Sequence, residues 1–254
     1  MGAANVALFV DEQGQRVIEK YPVSDIEYAF YHHAAQRLNA AKIASPKLLF
    51  ADPARRLLRL EYIPHPVSQD TVAGDETLAM LARLHRFSPD ASWRYHTHTW
   101  SVYALEKSLA LLALPEQASQ QLRRFQQSSE VLFRHPGLIS GDSNAGNWGR
   151  RDNGKLVLFD WERFSMGSPA IDLAPLIKGM GATHAFQALA ERYCRIADHA
   201  APRELGREIA IAKAWIVTEV VTLLAARQKT DLPRYLEWYR ENLPGWLAST
   251  VTLL

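Results

Sequence analysis

The chain has 254 residues, 48% hydrophobic and 22% charged, an ordinary composition for a globular protein with a core of its own. Its 29 basic and 27 acidic residues leave a net charge of +2, which gives no electrostatic ground for a nucleic-acid or membrane-surface partner. Cys194 is the single cysteine, so an intrachain disulfide and a cysteine-rich metal cluster are both excluded.

Taken in chain order, NVALFV and RVIEKY alternate like strands and flank DEQGQ, whose Gly14 suits a hairpin turn. In DIEYAFYHHAAQRLNAA the apolar positions Ile26, Phe30, Ala34 and Leu38 repeat with helical period, and Ser24 with Glu27 reads as a capping box. KLLFAD and RLLRLEYI form a second strand pair around a turn at Pro53. Residues 63–74, IPHPVSQDTVAG, make the best linker and divide a β-rich segment, 1–63, from a mainly helical one, 64–254. The helical segment runs through DETLAMLARLHRF, SVYALEKSLALLAL and EQASQQLRRFQQSSEVLF, then resumes after a polar centre with residues 183–200, 203–228 and 232–249. The start of the chain lacks a basic n-region, and Val6 stands where myristoylation needs Ser or Thr. The longest apolar tract, 214–226, spans 13 residues and contains Glu219, so it is too short and polar to cross a bilayer. A cytoplasmic protein without a membrane partner is expected; oligomeric state is left open.

The chemistry concentrates at residues 138–174. Asp142 and Asn147 lie five apart in SGDSNAGN, and the apolar strand LVLFD ends in Asp160, eighteen residues after Asp142. Phosphoryl transfer from ATP asks for such a set. One carboxylate takes or orients the proton of the attacking hydroxyl, while an asparagine and a second aspartate hold Mg²⁺. An oxygen-only ligand set suits Mg²⁺ and suits zinc poorly.

These residues resemble the aminoglycoside phosphotransferase and choline kinase family, within the protein-kinase-like superfamily. The family's H-G-D-x-x-x-x-N loop is similar to Ser140 through Asn147. Its I-D-W-E block is similar to Phe159-Asp160-Trp161-Glu162 with Gly167, Pro169 and Asp172-Leu173-Ala174, fixed residues spread over sixteen positions. The resemblance implies an α+β, protein-kinase-like two-lobe fold, with a small β-rich lobe and a larger helical one. It implies ATP and Mg²⁺ as cofactors, Asp142 as catalytic base, Asn147 and Asp160 as metal ligands, and Asp172 as a buried support of the catalytic loop. Glu162 either assists near the metal or stabilises the turn. Ser140 stands where the family has a histidine that braces the loop.

By the same resemblance Lys20, which shares strand parity with Ile18, reaches the phosphates, and Glu27 holds that lysine. The segment containing Glu61, Tyr62 and Ile63 resembles the hinge whose backbone faces adenine. His85 falls in the helix that follows, as a packing or capping residue. No G-x-G-x-x-G loop occurs, so Gly2 and the backbone up to Asn5 are left as a minimal cover for the phosphates. The family builds its acceptor pocket from C-terminal helices, where Glu219, Trp215 and Trp238 are candidates. Aromatic rings with a carboxylate would hold an ammonium group, as in choline or thiamine; aromatics at helical spacing equally read as core. The arginine-rich tail speaks against polycationic aminoglycosides.

The expectation is a kinase that phosphorylates a hydroxyl of a small molecule such as an amino alcohol, a thiamine-like compound, a sugar or an aminoglycoside. The alternative is a catalytically impaired kinase-like protein that sequesters a ligand or partner. A protein kinase ranks lower, because no activation segment ending in A-P-E occurs.

Overall fold

The computed structural model describes residues 4–198 and 201–254, so Gly2 lies outside the described residues. The chain forms two compact units, each from two stretches: Met1–Thr97 with Pro136–Met166, and His98–His135 with Gly167–Leu254. The boundary expected at residue 63 falls inside the first unit.

In the first unit, β1 (Asn5–Val10) and β2 (Arg16–Tyr21) form a hairpin. Its turn is set by Gly14 at φ 79° and by the Asp11 carboxylate, which accepts from the amides of Gln13 and Gln15 at 3.0 and 2.8 Å. β3 (Leu48–Asp52) and β4 (Leu57–Glu61) complete an antiparallel sheet of order β1-β2-β4-β3. The helix expected after Ser24 is made in three pieces: α1 (Asp25–Ala29), a π-helical turn over Phe30–Ala34, and α2 (Ala35–Ala40). The wider turn brings the consecutive residues Phe30 and Tyr31 both into the core, where Phe30 stacks on Trp161 at 4.2 Å.

The expected linker is ordered. It holds β5 (His65–Pro66) and leads into α3 (Asp75–Arg86), in which His85 is buried. The second stretch of this unit supplies β6 (Leu138–Ile139), β7 (Trp148–Arg150), β8 (Leu156–Leu158) and β9 (Ser165–Met166). β5 is an edge strand of the sheet β5-β7-β8, as suits Pro66, which has no amide hydrogen to give. β6 pairs with β9. The strand expected to run to Asp160 stops at Leu158. There the Phe159 amide turns to the carbonyl of Asn147 at 3.0 Å, and Asp160 takes a left-handed φ of 64°.

The second unit is helical: α4 (Val102–Leu112), α5 (Glu116–Gln127), α6 (Glu130–Phe133), α7 (Ala170–Leu173), α8 (Thr183–Ala197), α9 (Pro202–Ala226) and α10 (Leu232–Thr250). The stretch read as one helix over 116–133 breaks at Ser128 and Ser129, where the Ser129 hydroxyl bonds back to the carbonyl of Gln126. α9 is its centre, buried on all sides from Ile209 to Trp215 and packed by α4, α5, α7, α8 and α10. Among the described residues it is the one helix long and apolar enough to cross a membrane. An 18-residue window has mean hydropathy 1.8, with 61% of it buried inside the protein. It outruns the tract read at 214–226 because Ile209–Ala212 extend the apolar run.

Candidate active site

β2 pleats so that Ile18 and Lys20 point to one side, and that side lines a cavity of about 440 Å³ in the first unit. Val6 and Leu60 add apolar wall, Glu61, Tyr62 and Ile63 form one edge, and Asn147, Phe159 and Asp160 close the other. Mostly apolar walls with a few convergent polar groups are the usual build of a small-molecule site. Of the expected nucleotide and metal residues, Lys20, Glu27, Glu61, Tyr62, Ile63, Asn147 and Asp160 all line it.

Its polar end is a buried charge cluster. Lys20 Nζ lies 2.8 and 2.7 Å from the two oxygens of Glu27, and donates to Asp160 Oδ1 at 2.6 Å. Glu27 begins in α1, where Ser24 Oγ accepts from its amide at 3.0 Å; its carboxylate goes to Lys20, so the capping is one-sided. Both ends of the pair are displaced upward, which favours the charged form of the lysine and the neutral form of the carboxyl. Burial works to lower Lys20, but the charges of Glu27 and Asp160 outweigh it and hold the ammonium above its ordinary value. Burial pushes Glu27 up to about 7, with Lys20 pulling the other way. The lysine is the fixed charge, since two carboxylates hold it and only one of them is deeply buried.

Asp142 sits in the loop after β6. Its Oδ1 accepts from Asn144 Nδ2 at 2.6 Å, and its carbonyl accepts from Asn147 Nδ2 at 2.8 Å. That second bond fixes the Asn147 amide and leaves its oxygen as the atom able to ligate a cation. Ser140 is buried, with its hydroxyl 3.4 Å from the Asp142 amide, a long contact for a brace. Carboxylate oxygens of Glu27, Asp160 and Glu162 lie within 4.8 Å of one another, and Asn147 lines the same cavity; this all-oxygen chemistry fits Mg²⁺. Asp172 is fully buried in α7, in the second unit.

Sequence reading missed a clamp on the Glu61 segment. Arg151 grips both Glu61 oxygens, Nε to Oε1 at 2.6 Å and Nη2 to Oε2 at 2.7 Å, and also reaches the carbonyl of Ser45. Burial works to raise the Glu61 carboxyl, but Arg151 and the Lys47 amide outweigh it and hold it below the usual range. The Glu61 amide donates to the carbonyl of Lys47 at 2.9 Å, which ties this edge of the cavity to the residue before β3. Phe159 and Gly149 were missed too: a Cβ on Gly149 would fall 2.7 Å from Ile63 Cγ2. An arginine at the start of a polar hairpin reads as solvated, and no spacing rule links it to a glutamate ninety residues earlier.

The acceptor candidates separate. Trp238 lines a different cavity, in the second unit, and Glu219 and Trp215 are not among the residues around it. Trp215 is core, set edge-on to His98 and Phe133 at 5.3 Å each.

Solved structures share this fold. A choline/ethanolamine kinase family protein from Mesorhizobium loti is 14% identical over 99% of this chain and 92% of its own, with a TM-score of 0.66. Choline kinase LicA from Streptococcus pneumoniae is 18% identical over 97% and 89%, with a TM-score of 0.62. Aminoglycoside 2'-phosphotransferase-IIIa, solved as its GDP complex, is 14% identical over 95% and 93%, with a TM-score of 0.66. The fold is therefore α+β and protein-kinase-like. No curated protein matches the chain by sequence. The model of the phosphotransferase enzyme family does match, over residues 1–206, a span that contains Lys20, Glu27, Asp142, Asn147 and Asp160. On that match, the chain belongs to the phosphotransferase enzyme family.

Proposed function

We propose that this protein is an ATP- and Mg²⁺-dependent phosphotransferase that moves the γ-phosphate to a hydroxyl of a small molecule. The observation that carries the reading is the convergence of Lys20, Glu27 and Asp160 at the polar end of one cavity, although Lys20 and Asp160 stand 140 residues apart. Such a transfer asks for positioning and charge more than for covalent chemistry by the protein.

Lys20, held by Glu27, offers its ammonium to the phosphates. The backbone at Tyr62 and Ile63 receives the base, stiffened by the Arg151–Glu61 fork. Asn147 and Asp160 hold Mg²⁺, with Glu162 close by; when bound, the ion neutralises charge that develops on the phosphate oxygens. Asp142 takes the acceptor's proton on Oδ2, since Asn144 holds Oδ1. Ser140 supports the loop.

One feature favours the alternative, a silent kinase-like binder. In the β1–β2 turn the amides of Gln13 and Gln15 are already given to the Asp11 carboxylate, which would also repel phosphate. Calorimetric titration of MgATP, with phosphate transfer to a panel of amino alcohols, thiamine, sugars and aminoglycosides, decides between the two. The enzyme reading expects binding by wild type and by Asp142→Ala, with transfer reduced by about 10²–10⁴ in the variant. Wild type that binds MgATP but transfers to nothing leaves the binder; wild type that binds no MgATP sinks the kinase.

A further inference from the structure

A cavity of about 490 Å³ lies wholly within the second unit, walled by α9 and α10. Most of its wall lies beyond residue 206, where the family match ends. Lys213 projects from α9. Asp231 stands at the start of α10, and Arg234, Tyr235, Trp238 and Tyr239 follow at the spacing that puts side chains on one helix face.

Charge decides what this cavity can hold. Lys213 is only 7% exposed, and its Nζ donates to the carbonyls of Ala174 and Ile177 at 2.9 and 2.6 Å. An ammonium has three donors, so one remains after both carbonyls are served. Among the described residues no carboxylate pairs with Lys213 or with Arg234. A buried cation without a counter-charge is costly, and burial pulls Lys213 down to about 8. Asp231 is exposed and offsets one of the two positive charges, so the wall keeps a net charge of +1 (Lys213 and Arg234 against Asp231).

The aromatic residues supply the other half of the recognition. Trp238 is 40% exposed although it packs edge-on against buried Tyr239 at 5.3 Å, and Tyr235 stands 6.3 Å from Tyr239. A large ring left half open beside a cationic wall is a platform for a flat apolar body. An ammonium ligand of the kind expected from aromatics with a carboxylate would meet Lys213 and Arg234 instead, since Glu219 is not at this wall.

We infer that this cavity binds a small organic anion with a flat apolar body, its carboxylate on Lys213 and Arg234 and its ring against Trp238 and Tyr235. Binding stands on the cavity alone.

A matched pair tests it: 4-(hydroxymethyl)benzoate and 4-(hydroxymethyl)benzylamine, equal in ring and hydroxyl and opposite in charge. In nucleotide-free protein, calorimetry should show the benzoate binding at least about tenfold more tightly than the amine. Arg234→Ala, at an exposed position, should weaken the benzoate by about tenfold without unfolding the protein, and Lys213→Met should weaken it further. At pH 8.5, titrations in two buffers of different ionisation enthalpy should show proton uptake by wild type and none by Lys213→Met, because a bound carboxylate restores the Lys213 charge. Equal or tighter amine binding, no benzoate binding at millimolar concentration, or benzoate binding unchanged in both variants overturns the site.

Discussion

Lys20 faces two carboxylates, one reaching it from seven residues away and the other from 140. Glu27 gives this cluster a pH signature. Its folded pKa of about 7 lies above the ordinary 4.5, so between those values the folded protein holds more proton than the unfolded chain. The stability this provides is fully present below about pH 4.5 and is lost as pH rises through about 7. Urea melts should therefore show the difference between wild type and Glu27→Gln shrinking by on the order of 2 kcal/mol from pH 4.5 to 7, then levelling. A difference that stays constant across that range means Glu27 is ionised throughout. Lys20 and Glu27 were legible because strand parity and a helix start fix where short-range neighbours point. Asp142, Asn147 and Asp160 were legible as a motif, through spacing around an apolar strand. Arg151 was not, because a charged residue announces a partner only when the partner is near in sequence. Trp215 and Trp238 carry the same chemistry on helices, and only packing separates the core ring from the half-open one.

Helices and hairpins were readable wherever one apolar period ran without interruption, as in α3, α8 and α10. Interruptions hid themselves. The π-helical turn at Phe30–Ala34 keeps the polarity of an ordinary helix, and its extra residue shows only when Phe30 and Tyr31 are both seen to be buried. β5 escaped notice because a pair of residues ending in proline has no strand period. The connection into α8 hides a tighter constraint. Gly181 has φ 73°, and a Cβ there would fall 2.6 Å from Ile177 Cγ2 and 2.9 Å from Phe186 Cε1. Gly14 has φ 79° but nothing within 4 Å of the same added atom. Gly14→Ala should cost about 1 kcal/mol, from backbone strain alone. Gly181→Ala should cost about 2–4 kcal/mol, strain plus overlap, read from equilibrium unfolding. Equal costs at the two positions would mean that the α8 entry relaxes freely.

For the whole molecule, a nucleotide site that exists only in the folded state must stabilise that state by mass action. A non-hydrolysable ATP analogue with Mg²⁺, at about 100 times its Kd, should raise unfolding stability by about 2.7 kcal/mol, measured as a higher melting temperature. Lys20→Met should remove most of that gain, and EDTA should reduce it. A melting temperature indifferent to the analogue in wild type contradicts a nucleotide site in the first unit. Composition and periodicity made the β-rich start and helical remainder legible. They could not show that the first unit closes only when Pro136–Met166 joins Met1–Thr97, because that return is a long-range pairing. This discontinuity places the site in time as well as in space. At about 5–20 residues per second of synthesis, Lys20 waits roughly 7–28 s for Asp160 to follow it, with residues 98–135 of the other unit made in between. Until then Glu27 is the only one of its two carboxylates on offer, and a chain stopped at residue 135 holds half of the proposed nucleotide site.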